Sequence, residues 1–149
     1  MINLRLFFII FLFMVISPSN AQRLSSHQWK DRLVIIQSEN ATNPLFKKQI
    51  EELEKDPEGL EERKIVVYLS VAGNYKMGLE EREDWKKAGK DLEKFKNPTS
   101  EFEVILMGLD GGVKLRKNEL LTRESLFRTI DQMPMRMSEI RRKKKDNQL

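Results

Sequence analysis

The sequence predicts an α/β domain: a mixed four-stranded sheet with helices on both faces, in the order β-α-β-α-β-β-α. Three observations predict it. Residues 33–36 (LVII) and 65–69 (IVVYL) are unbroken runs rich in β-branched residues, the pattern of strands buried on both faces. A helical pattern separates the two runs, which implies parallel pairing through a right-handed crossover. A third apolar run, residues 102–107, leads to Val113 and Leu115 across Asp110-Gly111, a dipeptide that supplies the positive φ a hairpin turn needs.

The elements follow in order. The first strand opens after Trp29, Lys30, Asp31 and Arg32, and a polar loop over 38–43 ends it. Asn43 is placed to cap a helix with Pro44 at its first position, where a missing N–H costs nothing. Phe46, Ile50 and Leu53 fall on one face of that helix, and residues 56–59 (DPEG) form a turn. After the second strand, residues 73–78 read as a loop. A second helix is expected from about Leu79, with Glu80, Glu81, Glu83 and Asp84 near its positive end and Trp85, Ala88, Leu92 and Phe95 as its stripe. Asn97-Pro98-Thr99 ends it. Ile35, Val67 and Leu106 are expected side by side in the sheet, with Val113 folded back along Val104. Thr122 caps the last helix, whose buried face carries Leu126, Ile130 and Met133, and Pro134 stops it. This order is the thioredoxin-like arrangement. A flavodoxin-like doubly wound sheet is the alternative, and the Asp-Gly hairpin argues against its all-parallel pairing.

The chain has 149 residues, 40% hydrophobic and 34% charged, enough for one core. Residues 6–16 (LFFIIFLFMVI) form an apolar run after Arg5, followed by Ser17-Pro18 and by small residues three and one places before Gln22. That is the three-part pattern of a secretory signal peptide cut between Ala21 and Gln22, and it falls short of the roughly 20 apolar residues of a membrane span. The expected organisation is a signal peptide over 1–21, a lead-in over 22–28, the domain over 29–138 and a disordered basic tail over 139–149. The expected location is the bacterial periplasm or the extracellular space. The pI near 9.3 belongs to the tail. Without the leader and residues 141–149, the chain carries 21 basic and 22 acidic groups.

Several segments carry a family resemblance. Residues 108–116 (GLDGGVKLR), Leu126-Phe127 and residues 130–136 (IDQMPMR) resemble the DUDES domain, as do residues 29–33 (WKDRL) and Glu62-Arg63. The resemblance spans residues 29–140. It implies a thioredoxin-like or peroxiredoxin-like fold and an exported protein, of the kind found alone in bacteria or joined to sushi repeats in vertebrates. It implies no catalytic residue, since the activity of that domain is unknown.

Cysteine is absent, so thiol redox chemistry, thiolate metal sites and disulfides are excluded by composition. Thioredoxin-like enzymes carry their thiols after the first strand, where this chain has the 38–43 loop. The candidate partner-binding rim is therefore Ser38, Glu39 and Asn40 with Pro98, whose plainer reading is a trans residue ending a helix but which in cis would shape a docking edge. Asn40-Ala41-Thr42 matches a glycosylation acceptor, a pattern common by chance. His27 is the one histidine and reads as a surface residue; with no cysteine it builds neither a triad nor a metal cluster. The 80–84 acids lack calcium-loop spacing, and the 108–114 segment lacks phosphate-loop spacing. Asp131 and Arg136 are placed to pair across the helix end. No cofactor and no metal are expected. The expected partner is a protein or peptide, not nucleic acid. Arg141, Arg142, Lys143, Lys144 and Lys145 offer weak contact with an anionic membrane surface. The function this supports is a non-redox binding module rather than an enzyme, with a carboxylate-based hydrolase on the same rim as the alternative.

Overall fold

The computed structural model describes residues 24–81 and 84–148. The proposed cleavage pair Ala21 and Gln22 lies outside them. A short 3-10 turn, Leu24–His27, leads into β1 (Arg32–Ser38), α1 (Pro44–Glu54), α2 (Pro57–Glu62), β2 (Ile65–Val71), β3 (Asn74–Met77), β4 (Lys86–Lys87), α3 (Lys90–Glu93), β5 (Phe102–Met107), β6 (Val113–Lys117), α4 (Arg123–Asp131) and α5 (Pro134–Asp146). The sheet is mixed and six-stranded, ordered β4-β3-β2-β1-β5-β6, so the four-strand expectation is corrected. β1 is parallel to β2 and antiparallel to β5, and β6 returns antiparallel along β5.

β1 and β5 are buried along their whole length because each has a strand on both sides and packing on both faces. One face presents Val34, Ile36, Val67, Leu69, Val104 and Leu106 to α1, α2 and α4 through Phe46, Leu53, Leu60, Leu126 and Ile130. The other presents Leu33, Ile35, Tyr68 and Ile105, covered by Leu24 and by Leu92 of α3. Alternation sets this division, and it shifts two expected neighbours. Val34, not Ile35, stands between Val67 and Leu106, while Ile35 stands between Tyr68 and Ile105 on the opposite face. Val113 pairs with Met107 instead of Val104, because the β5–β6 connection is a five-residue loop over 108–112 with an irregularity after Leu106. Gly111 takes φ 77° in that loop.

The segment between β2 and β5 departs most from the expected helix. Ala72 (φ 47°) and Gly73 (φ 78°) supply the pair of positive φ values of a two-residue hairpin, so the chain turns back as β3, and Val71 faces Asn74. Gly78 (φ 87°) then breaks any helical start, and Trp85 is 45% exposed rather than part of a buried stripe. Helix is confined to α3, after Gly89. Both sheet edges carry cations, Lys86 and Lys87 on β4 and Lys114, Arg116 and Lys117 on β6, which discourages edge-to-edge pairing.

Two further corrections concern helices. Asp56 accepts from the Gly59 N–H at 2.8 Å, so the DPEG turn is the cap of α2. Pro134 does not end helical structure. It occupies the first turn of α5, which runs to Asp146 in place of the disordered tail. The cations Lys143, Lys144 and Lys145 lie in its last turn, where they complement the negative helix end. Apolar spacing could not reveal this helix, since its one buried residue is Arg136.

Candidate functional site

The rim expected from the sequence lies where β1 ends. Ser38 faces Phe102 on β5 and Val71 on β2. Its hydroxyl lies 2.8 Å from the Asn40 carbonyl and 3.2 Å from the Glu101 carbonyl. Asn40 Oδ1 accepts from the Thr42 N–H at 2.9 Å, and Asn43 Oδ1 accepts from Leu45 (2.9 Å) and Phe46 (3.3 Å). The loop thus binds its own donors, including those at the start of α1. Ser38 and Glu39 border a small cleft with Ser70, Glu93, Asn97 and Glu103; its volume of about 20 Å³ suits a water rather than a substrate. Asn40 and Pro98 are not among the residues bordering it. Peptide bonds among the described residues are all trans, Pro98 included, so its proposed docking geometry is not formed. Glu103 is buried and already engaged: Arg116 Nη1 donates to both its oxygens at 3.1 and 3.2 Å.

The opposite end of the sheet holds a denser polar cluster that apolar patterning missed. Arg32 begins β1 and is 1% exposed. Its Nη1 donates to the Arg63 carbonyl (2.9 Å) and Glu139 Oε2 (3.3 Å), and its Nη2 donates to Glu139 Oε1 (3.3 Å). Arg136 of α5 donates from Nε to Asp131 Oδ1 (3.2 Å), from Nη1 to the Glu62 carbonyl (3.1 Å) and from Nη2 to Glu62 Oε1 (3.0 Å). Arg63 completes a two-point contact with Asp131 at 3.1 and 2.7 Å and lays its guanidinium 4.1 Å over the Phe127 ring. Three arginines thus face three carboxylates. Burial pushes the Asp131 carboxyl up, but hydrogen bonds from Arg63 and Arg136 outweigh it and hold it below the ordinary range. Burial disfavours charge on Arg136 too, and Asp131, Glu62 and Glu139 reverse that effect. The pairing of Asp131 with Arg136 was legible from the sequence; Arg32, Arg63, Glu62 and Glu139 were not tied to it, because a scattered charge shows no period.

His27 is also more than a surface residue. Its Nδ1 lies 2.7 Å from Asp31 Oδ2 and its Nε2 lies 2.8 Å from the Tyr68 hydroxyl, so it bridges a carboxylate and a fully buried phenol. Burial, and then Tyr75 and Asp31, push the Tyr68 hydroxyl up to about 12, which opposes a nucleophilic role and suits a fixed hydrogen bond. The bridge ties the lead-in turn to β2. Of the 80–84 acids, Glu83 lies outside the described residues, and the Glu80 carbonyl accepts from Lys76 Nζ at 2.8 Å. Arg141, Arg142, Lys143, Lys144 and Lys145 are all exposed on α5.

No curated protein and no solved structure matches the chain. A family model described as Domain of unknown function (DUF4174) matches residues 23–139, from the lead-in through the arginine cluster to Glu139 in α5, and the chain belongs to that family.

Proposed function

We propose that this is an exported, cysteine-free binding module of thioredoxin-like design, which receives a protein or peptide partner at the rim where β1 ends. The strand order carries the reading. β2-β1-β5-β6 has a parallel pair joined through α1 and α2 and an antiparallel hairpin followed by α4. That is the β-α-β … β-β-α frame expected of the fold, with β3 and β4 added at one edge. In that frame the 38–43 loop stands where redox-active proteins of the thioredoxin-like fold keep their thiols, and here it carries two hydroxyls, a carboxylate and two amides.

The rim favours binding over turnover. Its cleft is too small to enclose a substrate, and Glu103 is held by Arg116. Exposed Glu39, Glu93 and Lys96 border it, a polar surface suited to a partner lying across it. The DUDES resemblance and the apolar leader support export. A photo-crosslinking residue placed at Glu39 or Asn97 is expected to trap one discrete adduct in cells, while the same residue at Glu124 on α4 traps none. Equal labelling at all three positions, or none at the rim, defeats the proposal.

A further inference from the structure

An open groove of about 690 Å³ runs between the lead-in and α5, and its residues are separate from those of the rim. Trp29, Leu109 and Met135 give it an apolar part, and Lys64, Arg142 and Lys143 give it cations. Trp29 is 63% exposed, and its ring makes no aromatic or cation–π contact among the described residues. Met135 is 44% exposed. The backbone beneath this surface is strained. Among the described residues three non-glycine positions have positive φ, and two of them, Trp29 (66°) and Lys64 (50°), border the groove. A bulky side chain rarely adopts that region. Hydrogen bonds hold both residues there. The Trp29 N–H donates to the Leu109 carbonyl at 2.6 Å, and the Lys64 carbonyl accepts from the Arg32 N–H at 2.7 Å. The fold thus tolerates strain to keep an indole in water, where it gains little from burial. Strain retained in this way points to a use for the surface.

The charges indicate what covers it. Two acids of the groove are already engaged, Glu62 by Arg136 and Glu139 by Arg32, and Asp146 is the third. Lys64 and Arg142 form no ion pair among the described residues, and Lys143 lies 3.8 Å from Glu62. Exposed Lys30 adjoins Trp29, and Arg141, Lys144 and Lys145 carry the positive surface past the groove along α5. We propose that this face seats the protein on a bilayer of anionic phospholipid, with the Trp29 indole and Met135 among the headgroups and Lys64, Arg142 and Lys143 against the lipid phosphates. Tryptophan has an apolar body and a polar N–H, which suits that layer. A run of basic residues supplies attraction to anionic lipid. Charge alone gives weak contact, and an apolar contribution is the second signal that strengthens it. A small anion would occupy the groove and leave residues 141–145 unused, whereas a surface engages both. The proposal does not rest on the rim reading.

The test uses the full chain as recovered from cells, carrying Trp85→Phe. Trp85 is the other tryptophan and is 45% exposed, so its replacement leaves the core intact and fluorescence reports Trp29 alone. Phosphatidylglycerol vesicles are expected to shift the Trp29 emission to shorter wavelength in a saturable way, and bromine on their acyl chains is expected to quench it. Phosphatidylcholine vesicles are expected to do neither. In the otherwise unmodified chain, Trp29→Gly is expected to fold, because glycine accepts a φ of 66° freely. It should sediment with phosphatidylglycerol vesicles at least about tenfold more weakly. Trp29→Asn, which also tolerates positive φ, is expected to lose binding in the same way. Emission unmoved by phosphatidylglycerol, an equal response to phosphatidylcholine, or undiminished sedimentation of both Trp29 variants overturns the proposal. An equal shift with soluble poly-glutamate overturns it as well and assigns the groove to an acidic chain.

Discussion

Replacing Arg136 with Met tests how α5 is held. Arg136 is 4% exposed and is the one buried residue of that helix. The substitution keeps most of the apolar stem and removes contacts to Asp131 (3.2 Å), to the Glu62 carbonyl (3.1 Å) and carboxylate (3.0 Å), and to Glu139 (3.4 Å). Breaking one side of a buried ion pair costs about 3–5 kcal/mol, because the partner charge is left behind. Two facts place this case at the lower end. Asp131 keeps Arg63 at 2.7 Å and Glu139 keeps Arg32 at 3.3 Å. The stranded carboxylates are also partly hydrated, Asp131 at 33% exposure and Glu62 at 45%. A loss of about 3 kcal/mol is expected from urea unfolding followed by tryptophan fluorescence. Arg136→Lys keeps the charge but not the fork that serves separate acceptors, so a smaller loss of about 1–2 kcal/mol is expected. Stability of the Met variant within about 0.5 kcal/mol of the parent would refute the reasoning, since that is what surface substitutions do.

Four further outcomes follow. The folded Asp131 carboxyl is held below its ordinary value, so its contribution is present above the ordinary carboxylate range and lost as pH falls through the lowered value; Asp131→Asn is expected to flatten the acid limb of the stability profile and to cost about 1–3 kcal/mol at neutral pH. Burial pushes the Tyr68 hydroxyl up to about 12, so its contribution is complete below pH ~10 and disappears as pH rises from there through about 12; absorbance titration should show a late tyrosine step that Tyr68→Phe removes. Ala72 holds a positive φ of 47°, so Ala72→Asn, which creates Asn-Gly at the hairpin, is expected to raise stability by about 0.5–1 kcal/mol in urea. The five exposed cations of residues 141–145 should retain the protein on anionic vesicles at low salt and release it at high salt, and neutralising them should abolish retention.

The sequence carried the centre of the sheet plainly. Residues 33–36, 65–69 and 102–107 are apolar enough to name β1, β2 and β5, and Asn43-Pro44 marked the start of α1 because a cap is a local chemical signal. β3 was hidden for an equally local reason. Its turn uses Ala72 where Asn or Asp usually announces a hairpin, and its short strand alternates too briefly to show a period. α5 was hidden because polar contacts to Glu62 and Asp131 fasten it, not an apolar stripe, so the rule that reads a charge run as a solvated tail misread it. The same limit applies to the sites. Ser38 and Glu39 could be placed from the loop after β1, whereas the meeting of Trp29, Lys64 and Met135 at one groove depends on the tertiary path of three separated segments.

Amide hydrogen exchange in the unmodified protein tests most directly the claim that a buried arginine cluster fastens α5 over the end of the sheet. Amides of residues 138–142 are expected to exchange about a hundredfold or more slowly than in a free peptide, with that protection lost in Arg136→Met while β1 and β5 stay protected. Exchange of those amides at free-peptide rates in the unmodified protein contradicts it.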